Sequence, residues 1–187
     1  MGALSEVVAD LQRAAGAAER LNELLFVPPQ VTSPAVPQAI APGTAEICFE
    51  QVTFAYPSRP ERDVFKDLSF TVPAGKTVAL VGQSGAGKTT IFQLLLRFYD
   101  AASGRVLING TDITQAALPE LRARMGLVPQ DPVIFSGTIA ENIRMGVEGA
   151  SDDDVAAAAL SASVMEFSKR MPEGLNTQVG EKGVQLS

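Results

Sequence analysis

The sequence predicts an α/β domain in which two strands are followed by a third strand, a glycine-rich turn and a helix. Two segments, Glu46 to Phe54 and Phe65 to Val72, alternate or run apolar as strands do. A third apolar segment, Lys76 to Val81, is predicted to be a short buried strand, and Thr89 to Phe98 is predicted to be a helix. The glycines between these last two elements provide the turn, and together these features indicate the fold class.

Two further segments precede the sheet. Ala3 to Leu25 has apolar residues in alternating three- and four-residue steps, which predicts an amphipathic helix within residues 1–26. The prolines between Val27 and Gly43 predict an extended linker, residues 27–45, that is not part of a core. We therefore expect the compact domain to cover residues 46–187.

Shorter elements follow the glycine-rich turn. Gly104 to Asn109 is predicted to be a strand that ends at an Asn109-Gly110 turn. Leu118 to Met125 is predicted to be a short helix, since Pro119 suits the first helical turn. Gly126 to Val128 is predicted to be a brief strand, and the remainder is predicted to be helical.

Two helix starts can be recognised in the last part of the chain. Thr138-Ile-Ala-Glu141 forms a capping box, and Gly146 is a plausible stop. Ser151 is predicted to cap a helix that begins with Asp152-Asp153-Asp154. Three adjacent carboxylates also suit a metal site, but acids that complement the dipole of a first helical turn are the favoured interpretation.

The bulk composition excludes several classes of function. A net charge of −6 argues against non-specific binding of nucleic acid. One cysteine, Cys48, excludes an internal disulfide, and its apolar neighbours predict a small buried core residue. No apolar run approaches the roughly 20 residues of a membrane span. The chain also contains no histidine.

The glycine-rich turn has the spacing of a phosphate-binding loop. Its sequence, Gly-Gln-Ser-Gly-Ala-Gly-Lys-Thr-Thr, fits the pattern G-x-x-x-x-G-K-S/T between a strand and a helix. Backbone N–H groups of such a loop converge on phosphate oxygens, the lysine adds a charge near the β- and γ-phosphates, and the threonine hydroxyl binds magnesium. The predicted nucleotide contacts are Gly82, Gln83, Ser84, Gly85, Ala86, Gly87, Lys88, Thr89 and Thr90. A tight turn that merely needs glycine is the alternative. The loop therefore predicts binding of a nucleoside triphosphate with Mg²⁺.

The segments on either side of the loop point to a family. With Phe54-Ala-Tyr-Pro-Ser-Arg-Pro60 before it and Gly126-Leu-Val-Pro-Gln-Asp131 after it, the chain resembles the nucleotide-binding domain of ATP-binding-cassette (ABC) transporters of the exporter type, from Glu46 to Ser187. The resemblance implies a P-loop NTPase fold, with an N-terminal antiparallel β subdomain, part of a RecA-like core and part of a helical subdomain. The N-terminal helix resembles the cytoplasmic end of such an exporter's last transmembrane helix.

The resemblance also assigns roles outside the loop. Tyr56 matches the aromatic residue that stacks on adenine, a contact worth about 1–3 kcal/mol at other base-stacking sites. The alternative is a half-exposed aromatic at a strand end. Gln130 matches the glutamine that approaches magnesium and the attacking water and senses the γ-phosphate, so Thr89 and Gln130 are the predicted magnesium residues. An ordinary surface-loop glutamine is the alternative.

Partners follow from the same resemblance. Thr177 to Gly183 resembles the exporter segment whose acidic residue, here Glu181, contacts the transmembrane part, and Ser136 to Ile143 is typical of exporters. The implied partners are ATP, the transmembrane domain of the parent exporter and a second nucleotide-binding domain in a dimer. The implied location is the cytoplasmic face of the plasma (inner) membrane. The transported substrate cannot be inferred from these residues.

The sequence departs from the family pattern at its end. Leu186 and Ser187 open the family's signature motif, which binds the γ-phosphate of ATP held by the opposite protomer, so Ser187 is a predicted nucleotide contact. The motif's remaining residues, the magnesium-directed aspartate, the water-activating glutamate and the switch histidine do not follow. We therefore expect this chain, an ATPase by family, to bind ATP with negligible hydrolysis by itself. We also expect the edges of Lys76 to Val81 to be unpaired.

Other functions remain to be weighed against an exporter ATPase. A non-enzymatic half-domain that binds nucleotide or a partner fits the same loop. A small GTPase or a nucleotide kinase is disfavoured, because no Asn-Lys-x-Asp guanine motif is present and Tyr56 and Gln130 would have no role. An oligomer formed through the helix at Ala3 to Leu25 is the structural alternative.

Overall fold

A computed structural model describes residues 2–180, and side chains are described from residue 6 onward. The predicted roles of Glu181 and Ser187 lie outside the described residues. The chain divides into two compact units, one up to Gly126 and one from Leu127 onward. Each unit is considered by itself.

The first unit contains the predicted sheet and the glycine-rich turn. Its elements are α1 (Gly2–Leu25), β1 (Ile47–Ala55), β2 (Asp63–Val72), α2 (Lys88–Leu95), β3 (Ser103–Ile108), β4 (Thr111–Asp112) and α3 (Leu118–Ala123), with a 3-10 turn at Ile113–Gln115. Helix α1 confirms the predicted N-terminal helix, and its side chains from residue 6 onward are exposed. None of the helices in the part of the chain that the structure covers is both long and apolar enough to cross a membrane.

The four strands form one antiparallel sheet in the order β2-β1-β3-β4. In β1, Phe49 lies opposite Phe70 of β2 and Val106 of β3, so that it is paired on both sides. The rings of Phe49 and Phe70 stack with their centroids 4.6 Å apart. Cys48 is only half-buried, because alternation along β1 directs it to the face opposite Phe49.

The predicted Asn109-Gly110 turn joins β3 to β4. Asn109 has φ 50° and Gly110 φ 76°, the two positive values that a type I′ hairpin turn requires. The Asn109 side chain accepts a hydrogen bond from the Glu46 N–H at 2.8 Å and donates one to the Ala41 carbonyl at 3.0 Å. This turn therefore also holds the segment that leads into β1.

The proline-rich segment is attached to the domain core, contrary to the prediction of a linker outside it. It has neither helix nor strand, as predicted, but the Ile40 side chain is 2% exposed and packs in the core. The Gln38 N–H donates to the Gln115 carbonyl at 2.8 Å, and Arg124 donates to the Ile40 carbonyl at 3.0 Å. The apolar residues of this segment, such as Val31, Val36 and Ile40, have no regular spacing among the prolines, so the pattern does not indicate which of them is buried.

Helix α2 is held at its C-terminal end by two arginines. The Arg122 guanidinium donates to the carbonyls of Leu96 at 3.2 Å and Arg97 at 3.0 Å, which have no acceptor role within the helix. Arg97 is buried and its guanidinium pairs with Asp100 at 2.8 Å. The helix that follows the glycine-rich turn is thus fixed at its far end.

Two predicted strands do not form. Lys76 to Val81 has no strand pairing among residues 2–180, and its side chains are exposed except for half-buried Leu80. Val81 is 93% exposed. Gly126 to Val128 is likewise irregular. The prediction of a buried strand at Lys76 is therefore wrong for this chain.

The second unit is mainly helical. Its elements are β5 (Gly137–Thr138), α4 (Ile139–Arg144), α5 (Asp152–Ser161), α6 (Val164–Ser168) and β6 (Gln178–Val179), with a 3-10 turn at Gly174–Asn176. Strands β5 and β6 pair antiparallel, a contact that the sequence pattern did not predict. Each strand has two residues, too few for alternation to be recognised.

Both predicted capping boxes are present in the second unit. Thr138 and Glu141 exchange hydrogen bonds at the start of α4, and Ser151 and Asp154 do so at the start of α5. Asp152 pairs with Arg144. Two of the three adjacent aspartates therefore have structural contacts, in agreement with the favoured interpretation of this acidic run.

Candidate functional site

The glycine-rich loop ends in a left-handed residue that starts α2. Gly87 has φ 86° and is the N-cap of the helix, which begins at Lys88. Gly85 has φ 80°, and the Ala86 N–H donates to the Gln83 carbonyl at 3.2 Å. Only glycine adopts such φ values without steric cost, so the two glycines determine the course of the loop.

Gly87 also packs directly against the sheet. A Cβ atom at this position would lie 2.6 Å from Cε1 of Phe65 and 2.9 Å from Cγ1 of Val64. Both are β2 residues, and Phe65 belongs to the core. The close approach requires glycine for space as well as for φ, and it places the start of α2 against the sheet.

Lys88 folds back over the loop that precedes it. Its Nζ donates to the carbonyl oxygens of Gly82 at 2.8 Å and Gln83 at 2.7 Å. These bonds hold the ammonium group beside the loop backbone. An ammonium has three N–H donors, so Lys88 can make a further bond to an anion while both of these remain.

The two threonines after Lys88 have different surroundings. Thr89 is exposed at the second residue of α2, where its hydroxyl is accessible to a ligand. Thr90 is buried, and its hydroxyl lies 2.7 Å from the Tyr56 hydroxyl. Thr89 therefore remains available for the predicted magnesium role, whereas the Thr90 side chain has a structural contact.

Tyr56 follows β1 and is fixed by α2. Its hydroxyl donates to Oε1 of Gln93 at 2.7 Å. Because a phenol has one proton, Thr90 must be the donor in its bond with Tyr56. The ring is half-buried and makes edge contacts with Phe54 and Tyr99, at centroid distances of 5.1 and 5.4 Å. The ring is thus held in one position.

Tyr56 and the glycine-rich loop line one cavity of about 490 Å³. The lining residues are Tyr56, Arg59, Arg62, Asp63, Val64, Gly85 and Ala86. The structure thus brings the predicted adenine-stacking residue and the predicted phosphate loop to the same cavity. Arg59, Arg62 and Gln93 were not predicted. The spacing of Thr90 and Gln93 on one face of α2 is the signal that could have indicated partners for Tyr56.

The remaining predicted site residues belong to the second unit or lie outside the described part. Gln130 and Asp131 are exposed in an irregular segment near the start of the second unit. Gln130 stays a predicted site residue.

The residues of the first unit fit an anionic nucleotide. The loop provides a close backbone approach at glycines, one ammonium group and an accessible hydroxyl, while the cavity adds an ordered aromatic ring. Backbone N–H groups at the start of a helix favour anions, because the helix dipole is positive there.

Comparisons with known families and proteins agree with this geometry. The family described as ABC transporter matches residues 65–187. The ABC multidrug transporter mdr2 of Aspergillus fumigatus is 48% identical over 187 residues, which are 100% of this chain and 23% of that protein. The mitochondrial ATP-dependent permease MDL1 of Schizosaccharomyces pombe is 44% identical over 185 residues, 98% of this chain and 25% of that protein.

A solved structure is similar over nearly the same length. It is that of a bacterial Atm1-family ABC exporter with ATP bound, with a TM-score of 0.86 and 41% identity, and the match covers 94% of this chain and 30% of that chain. The chain therefore spans about a quarter to a third of the length of these proteins.

Proposed function

Because the chain belongs to the ABC transporter family, we propose that it is the ATP-binding part of an exporter, in which ATP binding and hydrolysis are coupled to transport across a membrane. The observation that supports this most directly is the loop itself, in which Lys88 is held beside the Gly82 and Gln83 carbonyls ahead of a left-handed Gly87. Such a loop binds phosphate through backbone N–H groups and one lysine charge.

Each predicted site residue then has a role toward ATP. Residues 82–90 bind the phosphates, Lys88 contacts the β- and γ-phosphates, and the ring of Tyr56 stacks on adenine. Magnesium, when bound, neutralises charge on the β- and γ-phosphates. Thr89 and Gln130 are the residues that would hold it, and Gln130 also orients the attacking water.

Hydrolysis by these 187 residues alone is expected to be slow. Phosphoryl transfer depends on positioning and on a group that orients water. Among the described residues only Gln130 is assigned that second role, and the others bind the nucleotide. Each tenfold loss of rate corresponds to about 1.4 kcal/mol of barrier.

The partners we propose are the transmembrane part of the exporter and a second nucleotide-binding domain. Support for the first comes from the exposed apolar side chains of α1, such as Val8 and Leu11. It also comes from an apolar cavity of about 300 Å³ in the second unit, lined among others by Val133, Phe135 and Phe167. The similar solved structure is that of an ABC exporter, which supports a location at a membrane, and the cytoplasmic face of the plasma (inner) membrane is the location we propose.

Calorimetric titration with ATP and magnesium tests the proposal. We expect a Kd between about 10 μM and about 1 mM for the chain, and loss of detectable binding in Lys88→Ala. Lys66→Ala is the matched control, because it removes the same charge from an exposed position on β2. Equal binding by Lys88→Ala and the unsubstituted chain would refute the assigned site. Steady phosphate release that Lys88→Ala abolishes would refute the expectation of slow hydrolysis.

A further inference from the structure

The segment that joins β1 to β2 is built from two successive turns. The Arg59 N–H donates to the Tyr56 carbonyl at 2.8 Å, and the Arg62 N–H donates to the Arg59 carbonyl at 3.2 Å. Pro57 and Pro60 occupy the second position of these turns, where a φ near −65° is required. We call this segment, from Tyr56 to Arg62, the double-turn loop.

The two turns fix the spacing of two arginines. Arg59 and Arg62 each close one turn, so their Cα positions are set by backbone hydrogen bonds and by prolines that cannot rotate about φ. Both residues line the cavity of about 490 Å³ that Gly85 and Ala86 of the phosphate loop also line. A fixed loop thus presents both side chains beside the proposed nucleotide site.

The charges of these arginines are not neutralised by ion pairs in the described structure. Within residues 2–180, neither Arg59 nor Arg62 forms a salt bridge, although both are exposed. The cavity wall also includes the Asp63 carboxylate, so two positive charges face one negative charge there. In a chain of net charge −6, this local excess of positive charge is opposite to the overall balance.

Guanidinium groups are well suited to phosphate. Their planar fork donates two parallel hydrogen bonds to phosphate oxygens, and they remain charged at any physiological pH. Gly85 and Ala86, which belong to the phosphate loop, line the same cavity as the two arginines. A phosphate group bound at that loop would therefore be the nearest anion for the two arginines to bind.

We infer that Arg59 and Arg62 are affinity-determining residues that bind phosphate oxygens of the nucleotide across the cavity that they share with the phosphate loop. This inference rests on the proposed function, since it deepens the description of the same ATP site. The double-turn loop would then contribute a stacking ring at its first residue and two phosphate-directed charges at Arg59 and Arg62.

Calorimetric titration with ATP over a series of salt concentrations tests the inference. Arg59→Gln and Arg62→Gln should each weaken ATP binding by about three- to tenfold at low salt, and the double variant by more. The difference from the unsubstituted chain should shrink as salt rises, because screening weakens exposed charge contacts. Lys66→Gln removes one positive charge from β2 outside the cavity and should leave the Kd within about twofold.

Two further variants separate charge from loop structure. Arg59→Lys and Arg62→Lys keep the charge but lose the planar fork, so each should recover part of the affinity that the glutamine variant loses. Equal loss in the lysine and glutamine variants, or a loss that does not change with salt, would overturn the inference. So would a loss in Lys66→Gln as large as that in the arginine variants.

The outcome is distinguishable from failure of the proposed function. If the unsubstituted chain binds ATP, Lys88→Ala abolishes binding and the arginine variants bind normally, the ATP site stands and the arginine contact is wrong. If the unsubstituted chain shows no ATP binding, the proposed function and the arginine contact are both refuted.

Discussion

Two segments of the first unit, β1 and Lys76 to Val81, are both rich in apolar residues, but the first is buried and the second is exposed. Val52 of β1 is 0% exposed, whereas Val81 is 93% exposed. Strand β1 has β2 on one side and β3 on the other. Lys76 to Val81 has no strand beside it within residues 2–180. An apolar pattern thus predicts that a segment favours a buried strand. Whether the strand forms depends on partner strands from other parts of the chain.

The same contrast between packed and exposed segments divides the proposed site into two parts. The helix side of the phosphate loop is packed against the sheet, through Gly87 on Phe65 and through the Tyr56–Thr90 hydrogen bond. The segment before the loop, Lys76 to Val81, is irregular and leads into the loop through exposed residues such as Val81. The first part of the site is therefore held by the antiparallel sheet, and that part contains Lys88 and Tyr56.

The largest effect on stability is expected in the proline-rich segment, which is irregular but, like β1, contains a buried side chain. Ile40→Ala should lower the free energy of unfolding by about 4 kcal/mol, because it removes a side chain that is 2% exposed from the core. Val36→Ala lies in the same proline-rich segment at 83% exposure and should have almost no effect. Urea unfolding followed by circular dichroism measures both. Similar values for the two variants would contradict the attachment of this segment through Ile40.

A second pair of variants compares two glycines of the phosphate loop that have similar φ values. Gly87→Ala should destabilise the first unit by about 3 kcal/mol, because a Cβ in left-handed conformation would also meet Phe65. Gly85→Ala has a similar φ and nothing within 4 Å of the added Cβ, so about 1 kcal/mol is expected. The same unfolding experiment applies. Equal destabilisation by both substitutions would mean that φ alone, and not packing on β2, decides the cost.

The third pair tests the opening comparison directly. Val52→Ala should cost about 2 kcal/mol, since two buried methyl groups are lost and a cavity remains. Val81→Ala removes the same atoms from an exposed position, and its expected change is within about 0.5 kcal/mol. A large loss in Val81→Ala would show that this segment is packed against a partner in solution.

The smallest effects are expected at the helix starts of the second unit, where each capping residue contributes about 1 kcal/mol. The Thr138 backbone N–H, and then its hydroxyl, hold the pKa of Glu141 below its usual value, and the Ser151 hydroxyl, and then its backbone N–H, lower the pKa of Asp154. A lowered folded pKa stabilises the unit above the unfolded pKa, and that stability is lost as pH falls through the folded value. Thr138→Ala should therefore lower the free energy of unfolding at neutral pH. It should also make that free energy decrease less as the pH falls. An unchanged acid profile in unfolding titrations would contradict this coupling.

Most regular elements could be predicted from the sequence because their signals are local. The strands that became β1, β2 and β3, the helices α1, α2 and α3 and the turn at Asn109 are confirmed within a few residues of the predicted bounds. The caps at Thr138 and Ser151 are confirmed as well. Each depends on residues a few positions apart, so one sequence contains the whole signal.

The features that could not be predicted depend on residues far apart in the chain. The Ile40 side chain packs beside residues such as Leu121, and Tyr56 bonds to Thr90 and Gln93. The phosphate loop could be recognised by the spacing of its residues. The cavity that the loop shares with Arg59 depends on the position of β2 relative to the loop, which no local pattern indicates. Roles for Gln130, Glu181 and Ser187 stay predictions.

The hydrogen bonds of Tyr56 have a thermodynamic consequence for the proposed site. Its hydroxyl is bonded to Thr90 and Gln93, so the ring loses its rotational freedom when the domain folds. An adenine that stacks there contacts a ring that is already ordered, because the entropy cost of ordering it was incurred when the domain folded. Binding does not include that cost. Removing only the oxygen, as in Tyr56→Phe, would keep the stacking area but transfer that ordering to the binding step, making the entropy of association less favourable.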